Sequence, residues 1–324
     1  MTNSLGTIRF MYYILWGLPA ILMGLYLTNQ NQLIYMSKVL EIIMLIFSLA
    51  IIIISLSSLI KGNNVSIGGA SYQGASYTAA VAYGINLYYL AYGNNHERFK
   101  MMQSVRYTMI CMVLLLFQIL GVLVSGGRGG MVLIIVYTAY IYSSVIKVSS
   151  IPQKLTNTIY FLVTLIAIAL ILPKLLENPV FEGSFNRVFD YIAYDGIDWS
   201  GTSGRDGVYE NALKLFLESP IFGYGIFGMW KVLGAYPHNI ILELLLQGGV
   251  IVFFASLIFL TYLFFKMNRM IKSNPQYRII TIIALYPLIL LMFSGTYLNN
   301  SVFWFCITYI VGTELNKNKM GIIN

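Results

Sequence analysis

The sequence predicts an all-α membrane protein: a polytopic helix bundle of about nine to ten spans, interrupted by one long polar loop that carries short amphipathic helices. Three observations carry that expectation. Hydrophobic residues make up 58% of the 324 and charged residues only 10%, where a water-facing surface needs roughly 25% charged residues. Mean hydropathy is +0.75. The apolar residues are gathered into long runs, while most acidic and glycine-punctuated sequence is gathered between 177 and 238.

The runs are 10–27, 38–60, 74–93, 105–124, 130–147, 158–176, 239–265, 279–296 and 300–315. Each approaches the ~20 apolar residues that cross a ~30 Å hydrocarbon core. The third is the least oily, and its Ala75, Ala79, Ala82 and Gly84 predict close helix packing inside the bundle. Its tyrosines are equally suited to lining a polar cavity. The first run lacks a basic leader and an Ala-x-Ala site, so a cleaved signal peptide is not expected. No internal repeat or soluble linker is evident, so residues 1–324 are read as a single integral membrane domain, with 177–238 as a loop within it.

Orientation follows from the lysines and arginines. With 177–238 outside, the inside segments carry Lys38, Arg98, Lys100, Arg106, Lys147, Lys154, Lys266, Arg269, Lys272, Arg278, Lys317 and Lys319, twelve of the 20 cations. Arg9, Lys61, Arg128, Lys174, Arg187, Arg205, Lys214 and Lys231 are left over. Eight of the 12 acids, Glu177, Glu182, Asp190, Asp195, Asp198, Asp206, Glu210 and Glu218, fall in the loop. Loops of about sixty residues are usually functional. Within this one, Val208, Leu213 and Leu217 share a helical face, as in an amphipathic helix lying on a membrane surface, and Pro220 ends it.

The net charge of +8 does not point to nucleic acid, because the cations are scattered singly between apolar runs. Cys111 and Cys306 lie inside such runs and read as small hydrophobes. There is no Walker sequence, no Cys/His metal cluster and no Gly-x-Ser-x-Gly nucleophile elbow. No metal or cofactor is expected.

A few residues remain that could carry chemistry. Arg128 stands in Ser125-Gly126-Gly127-Arg128-Gly129-Gly130. Four glycines would let a ligand approach a guanidinium suited to phosphate; the same sequence equally suits a short turn with a snorkelling arginine. Arg205 opens the amphipathic helix, where a cation opposes the helix dipole, although Asp206 and Glu210 are near enough in sequence to pair with it. Arg187 is a third cation of the loop, without a glycine frame. His238 follows Pro237 at the start of a long apolar helix, where the dipole favours a neutral base and exposed N–H groups attract anions; a packing role is the plainer alternative. Asn239 is placed to cap that helix. Glu243, inside it, is an intramembrane carboxylate and so a functional candidate. His96 reads as solvated, and Glu41, Lys61 and Glu97 as boundary residues.

In this order the motifs resemble the O-antigen ligase and polysaccharide polymerase superfamily of bacterial envelope glycosyltransferases. The family shows an arginine in a Ser/Gly-rich break, here 125–130. It then has a long outer loop with a Gly-Arg helix start, here Gly204-Arg205, leading to Ser219-Pro220-Ile221-Phe222-Gly223-Tyr224-Gly225. The loop closes on a His-Asn with a glycine ten residues on, here His238-Asn239 and Gly249. The resemblance runs from about 120 to 255. Val252 stands where ligases commonly have Gly, Thr or Tyr.

The resemblance implies metal-independent glycosyl transfer on the outer face of the bacterial cytoplasmic (inner) membrane, from a glycan on undecaprenyl diphosphate to a glycan acceptor. With it, Arg128 and Arg205 are expected to hold the diphosphate and His238 to act as base or to orient the acceptor; Arg187, Asn239 and Glu243 are further expected substrate contacts. Flippase and chain-length regulator proteins are the implied partners besides the lipid bilayer. A polymerase of capsule, exopolysaccharide or O-antigen repeats is the favoured expectation, a ligase to a lipid core or protein the second. A lipid-linked oligosaccharide transporter is a third, which nearly charge-free spans disfavour.

Overall fold

A computed structural model describes residues 4–28, 30–62, 72–92, 98–148, 151–189, 192–193, 196–197 and 206–320. The described chain is helical apart from an antiparallel ladder pairing 192–193 with 196–197. A helix stands at each of the nine predicted runs. Among the described residues, Gly6–Tyr26, Gln32–Lys61, Val105–Ser125, Ile240–Ser273 and Pro275–Phe293 are long and apolar enough to cross a membrane, and Ser301–Thr313 is a shorter apolar helix. The protein is a multi-pass membrane protein. It divides into two compact units, 34–198 and 1–33 with 199–324.

In the 34–198 unit, α3 (Gln30–Lys61, shared from Ile34 onward) is followed by α4 (Tyr72–Tyr92), α5 (Val105–Ser125), α6 (Arg128–Val148), α7 (Ile151–Leu176) and α8 (Pro179–Phe189). Helix α4 packs along both α5 and α6. Its small residues make this possible, as the sequence predicts. Ala75, Ala79 and Ala82 are fully buried, and a Cβ on Gly84 would lie 2.5 Å from the Tyr137 ring. Two of the α4 tyrosines make hydrogen bonds to neighbouring helices. Tyr83 bonds Thr138, and Tyr89 donates to the Ser37 carbonyl.

A buried polar ladder crosses the same unit. Asn86 Nδ2 donates to the Cys111 carbonyl and to Gln118 Oε1, and Gln118 Nε2 donates to Ser48 Oγ at 2.7 Å. Glu41 is not a boundary residue. Because α3 starts at Gln30, Glu41 lies three turns inside and is fully buried against Arg98, whose Nη2 and Nε stand 2.6 and 2.9 Å from its Oε1. Such a pair costs desolvation, and removing one partner strands the other charge.

The other unit holds α1 (Ser4–Tyr12), a π-helical turn (Tyr13–Gly17), α2 (Leu18–Tyr26), α9 (Asp206–Glu218), α10 (Met229–Leu233), α11 (Ile240–Ser273), α12 (Arg278–Phe293) and α13 (Ser301–Met320). Helix α2 runs along α13 through glycines on each. A Cβ on Gly24 would meet Thr308 Oγ1 at 2.1 Å, and one on Gly312 would meet Thr28 at 2.4 Å.

Helices α9, α10 and α11 share a core of Ala212, Met229, Trp230 and Leu246. Helix α9 thus packs through a face other than the one the sequence assigns to the membrane surface. Ala212, Leu215 and Phe216 face inward, whereas Leu213 and Leu217 stay 50% and 73% exposed. The loop also contains a second short helix at a place the sequence did not single out, α8, capped by Asn178, whose Oδ1 accepts from Val180 and Phe181.

Helix α11 is not continuous. Gly248 and Gly249 leave helical geometry, Gly249 with φ +60° and ψ −160°, a region open essentially to glycine alone. A broken helix in an apolar setting must find new partners for its freed backbone groups. Residues 220–225 supply them. Tyr224 and Gly225 N–H donate to the Leu246 and Gln247 carbonyls, and Val250 N–H donates to the Pro220 carbonyl, each at 2.8 Å. A Cβ on Gly249 would lie 2.2 Å from the Ile221 carbonyl, and one on Gly223 would lie 2.6 Å from that of Leu246. The Pro-Ile-Phe-Gly-Tyr-Gly segment is thus the complement of the helix break, tying the end of α9 to α11.

Candidate functional site

The head of α11 gathers three of the six candidate residues. Asn239 is its N-cap: Oδ1 accepts from Ile241 at 2.9 Å and Leu242 at 3.3 Å, while Nδ2 donates to the Met292 carbonyl. This cap fixes His238 immediately outside the helix. His238 has φ +56°, the one positive value outside glycine among the described residues. An L-residue held there costs ~1–2 kcal/mol, so the surrounding structure must impose it. Buried Pro237 precedes it, and the Tyr236 ring lies 4.2 Å from the imidazole. The ring row continues through Trp230, 5.8 Å from Tyr236. His238 itself is half-buried.

Residues 239, 243 and 247 lie four apart and so share one helix face. Glu243 and Gln247 are 1% and 2% exposed. Thr296 Oγ1 donates to Glu243 Oε1 in a short hydrogen bond, and Gln247 Nε2 donates to the same oxygen at 3.2 Å. Gln247 Oε1 in turn accepts from Tyr297. The polar face of α11 is therefore locked to the turn between α12 and α13. Glu243 is a buried, hydrogen-bonded carboxylate, and the Arg9 guanidinium attracts it electrostatically.

Arg128 and Arg187 are brought together in the 34–198 unit. Arg128 is the first residue of α6, two glycines after α5 ends. Gly126 caps α5 with φ +69°. Protein fills the space beside all four glycines. A Cβ on Gly127 or Gly130 would strike Ser76, one on Gly129 the Tyr77 hydroxyl, and one on Gly126 the Ser184 backbone. The glycine frame is thus explained by close packing of α4 and α8 against this turn, and Ser76 Oγ donates to the Gly127 carbonyl at 2.8 Å. Arg128 Nε donates to the Arg187 carbonyl at 2.7 Å, holding the last turn of α8. The Arg187 guanidinium lies over the Tyr72 ring at 4.7 Å.

Arg205 lies outside the described residues, as does His96. Helix α9 begins at the next residue, Asp206, and its Glu210 pairs with Lys214 at 2.7 Å. Lys214 holds the exposed Glu210 carboxyl below its ordinary range, a surface pair of little energetic worth. Among the described residues, no three His, Cys, Asp or Glu side chains converge as metal ligands would.

Sequence reasoning missed Gln247, Thr296, Tyr297, Tyr236 and Arg9. The spacing of Gln247 from Glu243 was a readable signal. The turn at 296–297 carries none until α12 and α13 are folded against α11.

Residues 111–257 match the protein family described as O-antigen ligase (Wzy_C). The matched stretch contains Arg128, Arg187, Arg205, His238, Asn239 and Glu243, and excludes Arg9. No curated protein and no solved structure matches the chain.

Proposed function

We propose, from the match of residues 111–257 to the O-antigen ligase family, that the protein is a glycosyltransferase that polymerises oligosaccharide repeat units carried on undecaprenyl diphosphate. In this reading the acceptor hydroxyl oxygen attacks the anomeric carbon of the donor glycan. The bond from that carbon to the diphosphate oxygen breaks, the hydroxyl proton passes to His238, and the diphosphate leaves as an anion.

The observation that carries the reading is the family match over the stretch with His238 at its functional end. The imidazole is fixed between an N-cap and a row of aromatic rings, in a left-handed conformation that the surrounding structure imposes. Strain held at a polar helix head is the mark of a working residue. Arg128 and Arg205 are assigned to the diphosphate, whose developing charge arginine stabilises. Arg187, Asn239 and Glu243 are assigned to the substrate surroundings, Asn239 and Glu243 through the order they impose on the α11 head.

A single membrane domain of nine spans, with 177–238 on the extracytoplasmic side of the bacterial inner membrane, belongs to the same proposal. The exposed Leu213, Leu217, Phe222 and Ile226 suit contact with lipid at that surface.

The test is polymerisation of lipid-linked repeats by purified protein in detergent. His238→Ala and Arg205→Ala should abolish chain growth, and parent-like rates in both would refute the assignments. Activity in detergent, with no second membrane face, also sets the enzyme apart from a transporter. The family description favours a second reading, a ligase that moves a finished glycan to a lipid core or protein. Deletion in the native host separates them, since loss of a polymerase leaves single repeats and loss of a ligase leaves long chains on the carrier lipid.

A further inference from the structure

Arg9 lies on α1, outside the matched stretch, and is one of the cations that the inside-loop rule leaves unexplained. Its guanidinium carbon stands 4.4 Å from the Trp230 ring centroid and 5.8 Å from that of Tyr12. Trp230 is 1% exposed, and its ring row leads through Tyr236 to His238. Helix α1 also packs against the 297–299 turn, beside the residues that hold Glu243 and Gln247. Directly after α1 comes the π-helical turn Tyr13–Gly17. Such turns insert a residue into the helical ladder and concentrate at functional sites.

A guanidinium over an indole face is attracted by the ring and keeps a planar fork of N–H donors. Among the described residues Arg9 makes no ion pair within 4.0 Å and no side-chain hydrogen bond. Glu243 attracts it from beyond that distance, while its own Oε1 is taken by Thr296 and Gln247. A half-buried guanidinium with no anionic partner within 4.0 Å among the described residues is suited to a charge-assisted, bidentate contact with a phosphate. The same unit carries His238 at the other end of the ring row.

We propose that Arg9 is an additional anion-binding residue of the donor site and contacts a phosphate of the polyprenyl diphosphate, a proposal that rests on the lipid-diphosphate donor inferred above. The N-terminal helix then supplies part of the donor site from outside the matched stretch.

The experiment uses the full-length protein in lipid nanodiscs, with undecaprenyl diphosphate and undecaprenyl monophosphate as probes. Arg9→Gln, Arg9→Ala and Arg9→Lys are compared with Lys231→Gln, which removes an exposed cation from neighbouring α10. Loss of one charge-assisted contact weakens binding about tenfold or more. Arg9→Gln and Arg9→Ala should show that loss for the diphosphate, Arg9→Lys a smaller one, and Lys231→Gln none. The donor KM should rise more than kcat falls.

Parent-like diphosphate affinity in Arg9→Gln, or an equal loss in Lys231→Gln, overturns the assignment. So does a lowered thermal midpoint with unchanged affinity, which is the signature of a purely structural cation. Should the neutral variants fail to fold, Arg9→Lys decides, with parent-like affinity counting against the proposal. A parent protein that binds neither probe removes the diphosphate donor itself, a different failure.

Discussion

At the residue scale, His238 offers the cleanest separation of structure from chemistry. Its φ of +56° is tolerated best by glycine and, among residues with side chains, by asparagine. His238→Asn should therefore fold at least as well as the parent while lacking a base of suitable proton affinity. General-base catalysis contributes about 10²–10⁴-fold, so transfer should fall at least a hundredfold at unchanged thermal midpoint. A variant that keeps activity would reassign His238 to packing. Glu243 behaves differently, because Thr296 and Gln247 both spend donors on it. Glu243→Ala leaves those buried groups unsatisfied, at ~1–3 kcal/mol each, and should lower the midpoint clearly. Glu243→Gln keeps an acceptor oxygen in place and should be nearly as stable as the parent, isolating the role of the charge in the kinetics. Equal midpoints for the two variants would show that the network carries no weight.

At the element scale, the break in α11 and the 220–225 segment form one unit. Gly249→Ala would place a Cβ 2.2 Å from a backbone carbonyl, in a conformation that already excludes side chains. Neither partner can rotate away, so the substitution should cost ~3 kcal/mol or more, measured as loss of monodisperse protein or a large drop in midpoint. Gly207→Ala is the contrast. An added Cβ there meets nothing within 4 Å, and alanine in a helix is favoured over glycine by ~1 kcal/mol.

This element also shows what the sequence could and could not convey. The apolar runs marked where helices stand, five of them long and apolar enough among the described residues to cross a membrane, and Asn239 announced its cap. The glycines at 223, 248 and 249 were visible as letters. Their meaning was not, since the bonds that join the two segments run between backbone atoms that every residue possesses. On α9 the outward Leu213 and Leu217 match the surface-lying face that the sequence shows, while the inward face was not legible, because the small Ala212 is what lets α9 approach α10 and α11 closely. Around Arg128 the glycines were read as possible room for a ligand, and only the placement of Ser76, Tyr77 and Ser184 shows them filled by protein.

At the scale of the whole molecule, the proposed chemistry depends on the side of the membrane that 177–238 faces. The distribution of charge along the chain favours the outside, with twelve cations on one side and eight acids in the opposite loop. The structure supplies a way to test it that needs no background correction. Cys111 and Cys306 are both buried, at 0% and 4% exposure, so the parent should be nearly silent toward a membrane-impermeant maleimide. Gly183 on α8 is exposed with open space around it, and Ser273, at the end of α11, is exposed in the opposite sequence class of loop. Gly183→Cys should label in intact spheroplasts and Ser273→Cys only after lysis. Because both reporters sit in helical positions that accept a small side chain, failure to label would reflect sidedness and not misfolding. The reverse pattern would put the loop in the cytoplasm, where a polyprenyl diphosphate glycan is assembled and not polymerised, and the proposed reaction would lose its donor.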